Sequence, residues 1–168
     1  LRHSSAASDV YKRQGESDRR DEYSQEIFVE DVKGVIDDLS WKSCTCIAHS
    51  MGGSIATLAS SIYPDIFEHL ILLDSMIVIP PNVAERMSSN RPSARLVVAS
   101  PDLETAAGRF RLTPPQPCKD YVLKHVAENS YVEKSDGWYL KSDPLIPNTY
   151  KYNDLHDAFT KINCSFDY

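Results

Sequence analysis

The sequence predicts an α/β fold: a parallel sheet flanked by helices, with a mostly helical segment inserted into it. Residues 44–61 combine a β-favouring run, a Gly-containing turn and apolar residues at helical spacing. Residues 69–74 contain a short, nearly continuous apolar run, typical of a central parallel strand covered on both faces. Residues 76–147 contain most of the prolines, which divide that stretch into short helical pieces.

The first predicted helix covers residues 24–39. Ser24 is a favourable N-cap residue, and Tyr23 is placed to pack against Phe28 as a hydrophobic staple. Further along, residues 119–128 are expected to form a helix, and Ser100 and Pro101 are expected to begin another. A tail helix over 154–161 and a last strand from residue 162 complete the prediction.

The turn between the first strand and its helix matches a small-x-Ser-x-Gly pattern with Ser50 at its centre. A serine on such a tight strand-to-helix turn has a strained backbone and a hydroxyl that projects clear of the sheet. The N–H of Met51, at the helix start, is then placed to stabilise a developing oxyanion. The residues expected to shape the turn are Ala48, His49, Gly52 and Gly53. The alternative is that Ser50 is an ordinary N-cap.

The stretch AHSMGG at residues 48–53 resembles the α/β-hydrolase superfamily, whose members often read GHSMGG at this turn. Residues 15–18 resemble the tail of a G-H-G-x-S-D loop of that superfamily. A cap motif, Gly-Trp-x-x-Lys-x-Asp-Pro, is matched by Gly137, Trp138, Lys141, Asp143 and Pro144. The resemblance implies a serine hydrolase that acts on a small-molecule ester or similar acyl bond without a cofactor. The serine-bearing turn is called the nucleophile elbow in this superfamily. A serine at the elbow disfavours the epoxide-hydrolase branch, which uses a carboxylate there.

The resemblance also implies a division of the chain. Residues 15–75 are expected to form the hydrolase core, 76–147 the cap, and 148–168 a return to the core. Residues 1–14 are interpreted as a non-native leader, because DVYKRQ is the translation of a transposon-end sequence used in preparing DNA libraries. In the cap, three aromatic residues are candidates for lining the substrate site or for packing the cap onto the core: Phe110, Trp138 and Tyr139.

A serine nucleophile needs a base, and that base needs a group to orient it. The resemblance places the acid after the seventh strand and the histidine after the eighth, beyond Tyr168, and the second oxyanion donor upstream of Gly15. None of the histidines in the chain is assigned as the base, and Asp167 is not assigned as the acid. Asp74 ends a strand where it could serve a triad, but a structural role is favoured. The chain is therefore expected to be an inactive, poorly stable fragment.

Composition restricts the partners. The net charge of −6, without a Lys/Arg block, argues against nucleic-acid binding. The apolar stretches are too short to span a bilayer and no secretory segment is recognisable, so a cytoplasmic location is expected by default. The four cysteines are interpreted as small buried apolar residues and not as metal ligands. The sequence leaves the oligomeric state open.

Two other functions remain open at this stage. The same fold could carry out C–C bond hydrolysis or cofactor-free oxidation chemistry, because the elbow does not distinguish these reactions from ester hydrolysis. The other alternative is a non-catalytic relative, in which the elbow is a relic and the cap binds a ligand or partner.

Overall fold

The computed structural model describes residues 17–83, 85, 99–112, 115–143, 145–150 and 153–168. The segment interpreted as a leader lies outside the described residues. The described chain forms two compact units, one of residues 20–83 with 145–168 and one of residues 99–143. In chain order the elements are α1 (Gln25–Asp38), β1 (Cys44–His49), α2 (Met51–Ile62), β2 (Phe67–Leu73), α3 (Leu103–Arg109), α4 (Asp120–Asn129), β3 (Tyr131–Lys134), β4 (Gly137–Leu140), α5 (Ile146–Thr149), α6 (His156–Phe159) and β5 (Ser165–Asp167).

Helix α1 begins as the sequence predicts. The Ser24 hydroxyl accepts a 3.2 Å hydrogen bond from the N–H of Ile27, which satisfies one of the free donors of the first turn. The rings of Tyr23 and Phe28 stack with their centroids 5.7 Å apart. Both rings are buried in the core of the first unit, so the staple also fixes where the chain enters the helix.

The first unit contains a parallel three-stranded sheet in the order β1-β2-β5. The prediction that residues 69–74 include a central strand is confirmed, because β2 pairs with a strand on each side. In register, His49 of β1 pairs with Leu73 of β2, and His69 of β2 pairs with Ser165 of β5. The carboxyl ends of β1 and β2 therefore lie side by side, which is the edge where open α/β sheets bind ligands.

One face of this sheet is covered and the other is open. Leu70 and Leu72 of β2 are buried against the side on which α2 packs, in a core that also includes Ala59. On the opposite face, Ile47 of β1 is 67% exposed and Leu73 is 48% exposed. The prediction that β2 is covered on both faces is therefore wrong for the described residues, because their helices pack on one side only.

The second unit contains, besides helices, a hairpin that the sequence did not predict. Helices α3 and α4 are present, but β3 and β4 form an antiparallel hairpin in which Tyr131 pairs with Leu140. The turn consists of Ser135 and Asp136, and Gly137, the first residue of β4, has a φ of 140°, a conformation that glycine adopts without strain. A Cβ at Gly137 would lie 2.7 Å from the carbonyl oxygen of Ser100. Both the backbone conformation of this residue and its close approach to Ser100 therefore require glycine.

The start of α3 also differs from the prediction. Asp102, rather than Ser100, is the N-cap, and its carboxylate accepts a 2.7 Å hydrogen bond from the N–H of Thr105. This bond holds the pKa of the Asp102 carboxyl below its usual value. Ser100 instead pairs with Trp138 through two main-chain hydrogen bonds of 2.8 and 2.9 Å, which add a third short segment beside the hairpin.

The cysteines only partly match their predicted environment. Cys44, Cys46 and Cys164 are half-buried, whereas Cys118 is exposed on the segment before α4, so its interpretation as a buried residue is wrong. Among the described residues, no group of three or more His, Cys, Asp or Glu side chains is arranged to hold a metal ion. No helix in the described part of the chain is long and apolar enough to cross a membrane.

Candidate active site

Ser50 lies on the sharp turn between β1 and α2, with a φ of 52° and a ψ of −121°. This is a left-handed conformation that costs a non-glycine residue about 1–3 kcal/mol and persists only where the surrounding structure holds it. The side chain is exposed and, among the described residues, makes no capping hydrogen bond to α2. An ordinary N-cap has an extended backbone and a bonded hydroxyl, as Ser24 has, so the N-cap alternative does not describe Ser50.

The start of α2 leaves main-chain donors beside that hydroxyl. The Ser50 carbonyl accepts the N–H groups of Gly53 at 3.0 Å and Ser54 at 3.4 Å. Helix geometry leaves the earlier N–H groups, those of Met51 and Gly52, without an acceptor inside the helix. These donors, together with the positive end of the dipole of this 12-residue helix, create a site that favours negative charge next to Ser50.

The turn is packed against the loop that follows β2. A Cβ built on Gly53 would lie 1.9 Å from the Oγ and 2.4 Å from the Cβ of Ser75, so only glycine allows this approach. The Ser54 hydroxyl donates to the carbonyl of Met76 at 3.1 Å, and the Ser75 hydroxyl donates to the carbonyl of Leu73 at 3.0 Å. Gly53 therefore allows the start of α2 to lie close to the loop after β2.

Other predicted elbow residues occupy different environments. Ala48, the last buried position of β1, is 7% exposed, so the small side chain faces the packed side of the sheet. His49 is exposed and follows it on the opposite face. Gly52 lies in the first turn of α2 and is half-buried.

Asp74 directly follows β2 at the same edge of the sheet. Its φ of 45° is also left-handed, and its side chain is exposed. Among the described residues its carboxylate has no hydrogen-bond or ion-pair partner. The sequence indicated that an acid stood at a strand end, but it did not indicate the backbone conformation, which depends on the contacts of the following loop.

A second cluster contains a histidine with a serine and an aspartate. The Nδ1 of His69 lies 2.5 Å from Ser165 Oγ, and its Nε2 lies 3.0 Å from Asp167 Oδ2. The register places His69 four residues before the end of β2, about 13 Å from the strand ends at roughly 3.3 Å per residue. The cluster joins β2 to β5 and is too distant to act on Ser50.

The three predicted aromatic residues of the second unit are all half-buried. The main chain of Trp138 pairs with that of Ser100, and the Tyr139 hydroxyl donates a 2.5 Å hydrogen bond to Asp136, which raises the pKa of Tyr139. The Lys134 ammonium lies 4.9 Å from the centroid of the Tyr139 ring. Phe110 ends α3 as its C-cap. A substrate-lining role for these residues stays a prediction.

A strained serine at a strand-to-helix turn, on a parallel sheet with helices packed on one face, is the local arrangement that characterises one class of α/β protein. A sequence model of the α/β hydrolase fold matches residues 4–161, which is most of the chain. The chain belongs to the α/β hydrolase fold family. The match begins within residues 1–14, and the interpretation of that segment as a leader stays a prediction.

Individual relatives agree with this assignment. The chain is 36% identical over 69 residues to a serine hydrolase-like protein of Danio rerio, covering 41% of this chain and 21% of that protein. It is 33% identical over 63 residues to epoxide hydrolase 4 of Mus musculus, covering 36% and 18%. Its fold is similar to that of an esterase from M. tuberculosis, with a TM-score of 0.68 and 17% identity over 90% of this chain and 54% of that one. The chain thus spans about half the length of that structure and about a fifth of the relatives matched by sequence.

Proposed function

We propose that the chain carries the nucleophile of a serine hydrolase acting on a small-molecule carboxylic ester or similar acyl bond. Ser50 is the nucleophile, and the Met51 N–H supplies part of the oxyanion hole. The observation that carries this proposal is the left-handed backbone of Ser50 (φ 52°) combined with a hydroxyl that is exposed and does not cap the helix. Backbone strain of this kind is concentrated at functional positions.

The chemistry follows from the geometry at the turn. Attack by Ser50 Oγ on an acyl carbon places negative charge on the carbonyl oxygen, and the free N–H of Met51 and the dipole of α2 stabilise that charge. The Ser50 proton passes to a base and then to the leaving alcohol, and water later releases the acid. One relative is named an epoxide hydrolase. Ser50, a neutral hydroxyl, stands where that branch is expected to have a carboxylate, so ester hydrolysis is favoured.

The proposal is tested with the protein expressed from the native gene that contains this sequence. Hydrolysis of a panel of short-chain aryl esters is compared with cleavage of β-diketones, in the wild type and in Ser50→Ala. We expect ester turnover that Ser50→Ala abolishes, with little cleavage of the diketones. Ester turnover that survives in Ser50→Ala would contradict the assignment of the nucleophile. Preferred cleavage of the diketones would assign C–C bond hydrolysis to the same fold instead.

A further inference from the structure

The chain after β2 continues as a segment whose side chains alternate between the core and the surface. Ser75, Ile77 and Ile79 are buried. The two residues between them, Met76 and Val78, are 47% and 53% exposed. An alternation of period two is the pattern of an extended chain with one covered face. The segment therefore has one face in the core and an apolar face, formed by Met76 and Val78, that remains open to solvent.

Hydrogen bonds fix the backbone of this segment. The carbonyls of residues 75, 76 and 77 each accept a bond from a different part of the first unit. The donors are the Tyr168 hydroxyl at 2.8 Å, the Ser54 hydroxyl at 3.1 Å and the Leu155 N–H at 3.1 Å, in that order. Because successive carbonyls are bonded, the apolar face is carried on a fixed backbone, as a binding surface requires.

The apolar face lies beside Ser50. Ser54, which donates to the Met76 carbonyl, follows Ser50 by four residues in the first turn of α2, a spacing of about 5–6 Å between Cβ atoms. The Ser50 N–H donates to the carbonyl of Leu73, only three residues before Met76. The side chains of Ser50 and Met76 are both exposed at this carboxyl edge of the sheet. A molecule whose reacting group is held at Ser50 is therefore within reach of Met76.

The chemistry of the segment indicates what it binds. Single exposed apolar side chains are common on protein surfaces, but here two are presented on the same side of a fixed backbone. Residues 75–80 contain no charged side chain. Such a surface gains free energy by taking apolar area out of water, and it offers no ion pair to a charged group.

Resting on the proposed function, we propose that Met76 and Val78 bind the alkyl chain of the ester and select substrates with longer apolar chains. The alkyl chain lies along the apolar face while Ser50 attacks the carbonyl carbon. A methylene that leaves water completely contributes at most about fourfold to kcat/KM, and one that lies on an open face contributes about twofold. Charged chains are disfavoured, because they would lose hydration without gaining a partner.

The test uses the protein expressed from the native gene and two series of esters. In the first series the acyl group grows from acetate through butanoate to hexanoate, with nitrophenol as the alcohol. In the second the alcohol grows from ethanol to hexanol, with acetate as the acyl group. We expect kcat/KM to rise about twofold per added methylene in one series. That series identifies which side of the ester lies on Met76.

The variants are judged by the ratio of kcat/KM for the longest ester to that for the shortest. Met76→Ser and Val78→Ser should each lower this ratio about fivefold, because a hydroxymethyl group replaces the apolar contact. Met76→Leu should keep the ratio, since leucine has a similar volume. The matched control is Val35→Ser on α1, where the valine is 52% exposed and distant from this edge, so the ratio should not change.

A binding measurement separates this proposal from the proposed function. Ser50→Ala keeps the apolar face without the nucleophile, and calorimetry measures its affinity for unhydrolysed ethyl hexanoate. Adding Met76→Ser to Ser50→Ala should weaken binding about fivefold, and adding Val35→Ser should not.

The role of Met76 and Val78 is overturned if their serine variants keep the wild-type ratio or bind ethyl hexanoate as tightly as Ser50→Ala alone. Equal losses for all esters, together with a lower midpoint of thermal unfolding, would also overturn it, because a packed structural face would behave in that way. Ester turnover that survives in Ser50→Ala would contradict the proposed function instead, and the binding measurement would still decide the role of Met76.

Discussion

The main-chain N–H of Ser50 donates a 3.0 Å hydrogen bond to the carbonyl oxygen of Leu73. This bond lies one residue beyond the paired positions His49 and Leu73 of β1 and β2, and it joins the sharp turn after one strand to the end of the next. The turn is therefore supported by the neighbouring strand and not by a capping bond of its own side chain. That arrangement leaves the Ser50 hydroxyl available for chemistry while the backbone remains strained.

Replacing Ser50 by glycine should release the strain of the turn. Glycine adopts a φ of 52° without a steric penalty, so Ser50→Gly should be about 1 kcal/mol more stable than Ser50→Ala, after allowance for the flexibility of glycine in the unfolded chain. The free energy of unfolding is measured in urea. Ser24 provides the control, because Ser24→Ala removes a capping bond and should cost about 1 kcal/mol. Equal stability of the two Ser50 variants would show that the turn is not strained.

Adding a methyl group at Gly53 should disrupt the contact between α2 and the loop after β2. The new Cβ would lie 1.9 Å from Ser75 Oγ, so we expect Gly53→Ala to lose about 1–3 kcal/mol of unfolding free energy. Ser75→Gly in the same chain should recover much of that loss, since it removes the opposing atoms. Gly34→Ala is the matched control.

Nothing lies within 4 Å of a Cβ built on Gly34, which is inside α1, so that variant should gain about 0.5–1 kcal/mol. Equal stability of Gly53→Ala and Gly34→Ala would contradict the close packing of α2 against Ser75.

Thr57 carries a buried hydroxyl that makes no hydrogen bond in the described part of the chain, although the side chain is 0% exposed. An unsatisfied buried hydroxyl costs about 1–3 kcal/mol, and valine has nearly the same shape without it. Thr57→Val should therefore raise the midpoint of thermal unfolding. Thr160→Val is the comparison, because that hydroxyl is exposed and donates to the Asp157 carbonyl, so its loss should give no gain. A lower midpoint for Thr57→Val would mean that its hydroxyl has a partner.

Burial raises the pKa of Cys46 to about 12, with smaller contributions from Cys44 and Cys164. The folded chain therefore keeps this proton at pH values where the unfolded chain, with a thiol pKa near 9.0, has lost it. Since the folded state binds more protons, stability is fully present below about pH 9 and falls as pH rises from 9 towards 12. Urea unfolding at several pH values measures the slope.

The slope should be smaller in Cys46→Ala. Alkylation by iodoacetamide provides a second measurement, because the thiolate is the reactive form. In the folded chain, exposed Cys118 should be modified much faster than half-buried Cys46, whose raised pKa disfavours the thiolate, and unfolding should remove that difference. Rapid alkylation of Cys46 under native conditions would contradict its burial.

The sequence was sufficient to predict features set by local patterns. Ser24 and Tyr23 determine the start of α1, and the apolar run before Asp74 determines a central strand; the structure confirms both. The hairpin was also partly encoded locally, since the two-residue loop Ser135-Asp136 and Gly137 after it lie between strand-like runs, but the proline-rich surroundings favoured a helical interpretation.

Other features depend on contacts between segments distant in sequence. The His69 cluster requires that β5 pair beside β2, across 96 residues, and its register was not predictable from composition. The left-handed backbone of Asp74 depends on hydrogen bonds and packing from Ser54, Gly53 and Tyr168, which converge on the loop after β2. The sharp turn at Ser50 was predictable because Ser50 and the small residues around it are neighbours in sequence.

The most direct test of the account is to map the covalent adduct of a fluorophosphonate probe by mass spectrometry. The protein expressed from the native gene is labelled, together with its Ser50→Ala and Ser165→Ala variants, since the Ser165 hydroxyl, unlike that of Ser50, lies within hydrogen-bond distance of a histidine among the described residues. We expect an adduct on the peptide that contains Ser50, lost in Ser50→Ala and retained in Ser165→Ala. An adduct on Ser165, or labelling of Ser50→Ala at the wild-type rate, would contradict it.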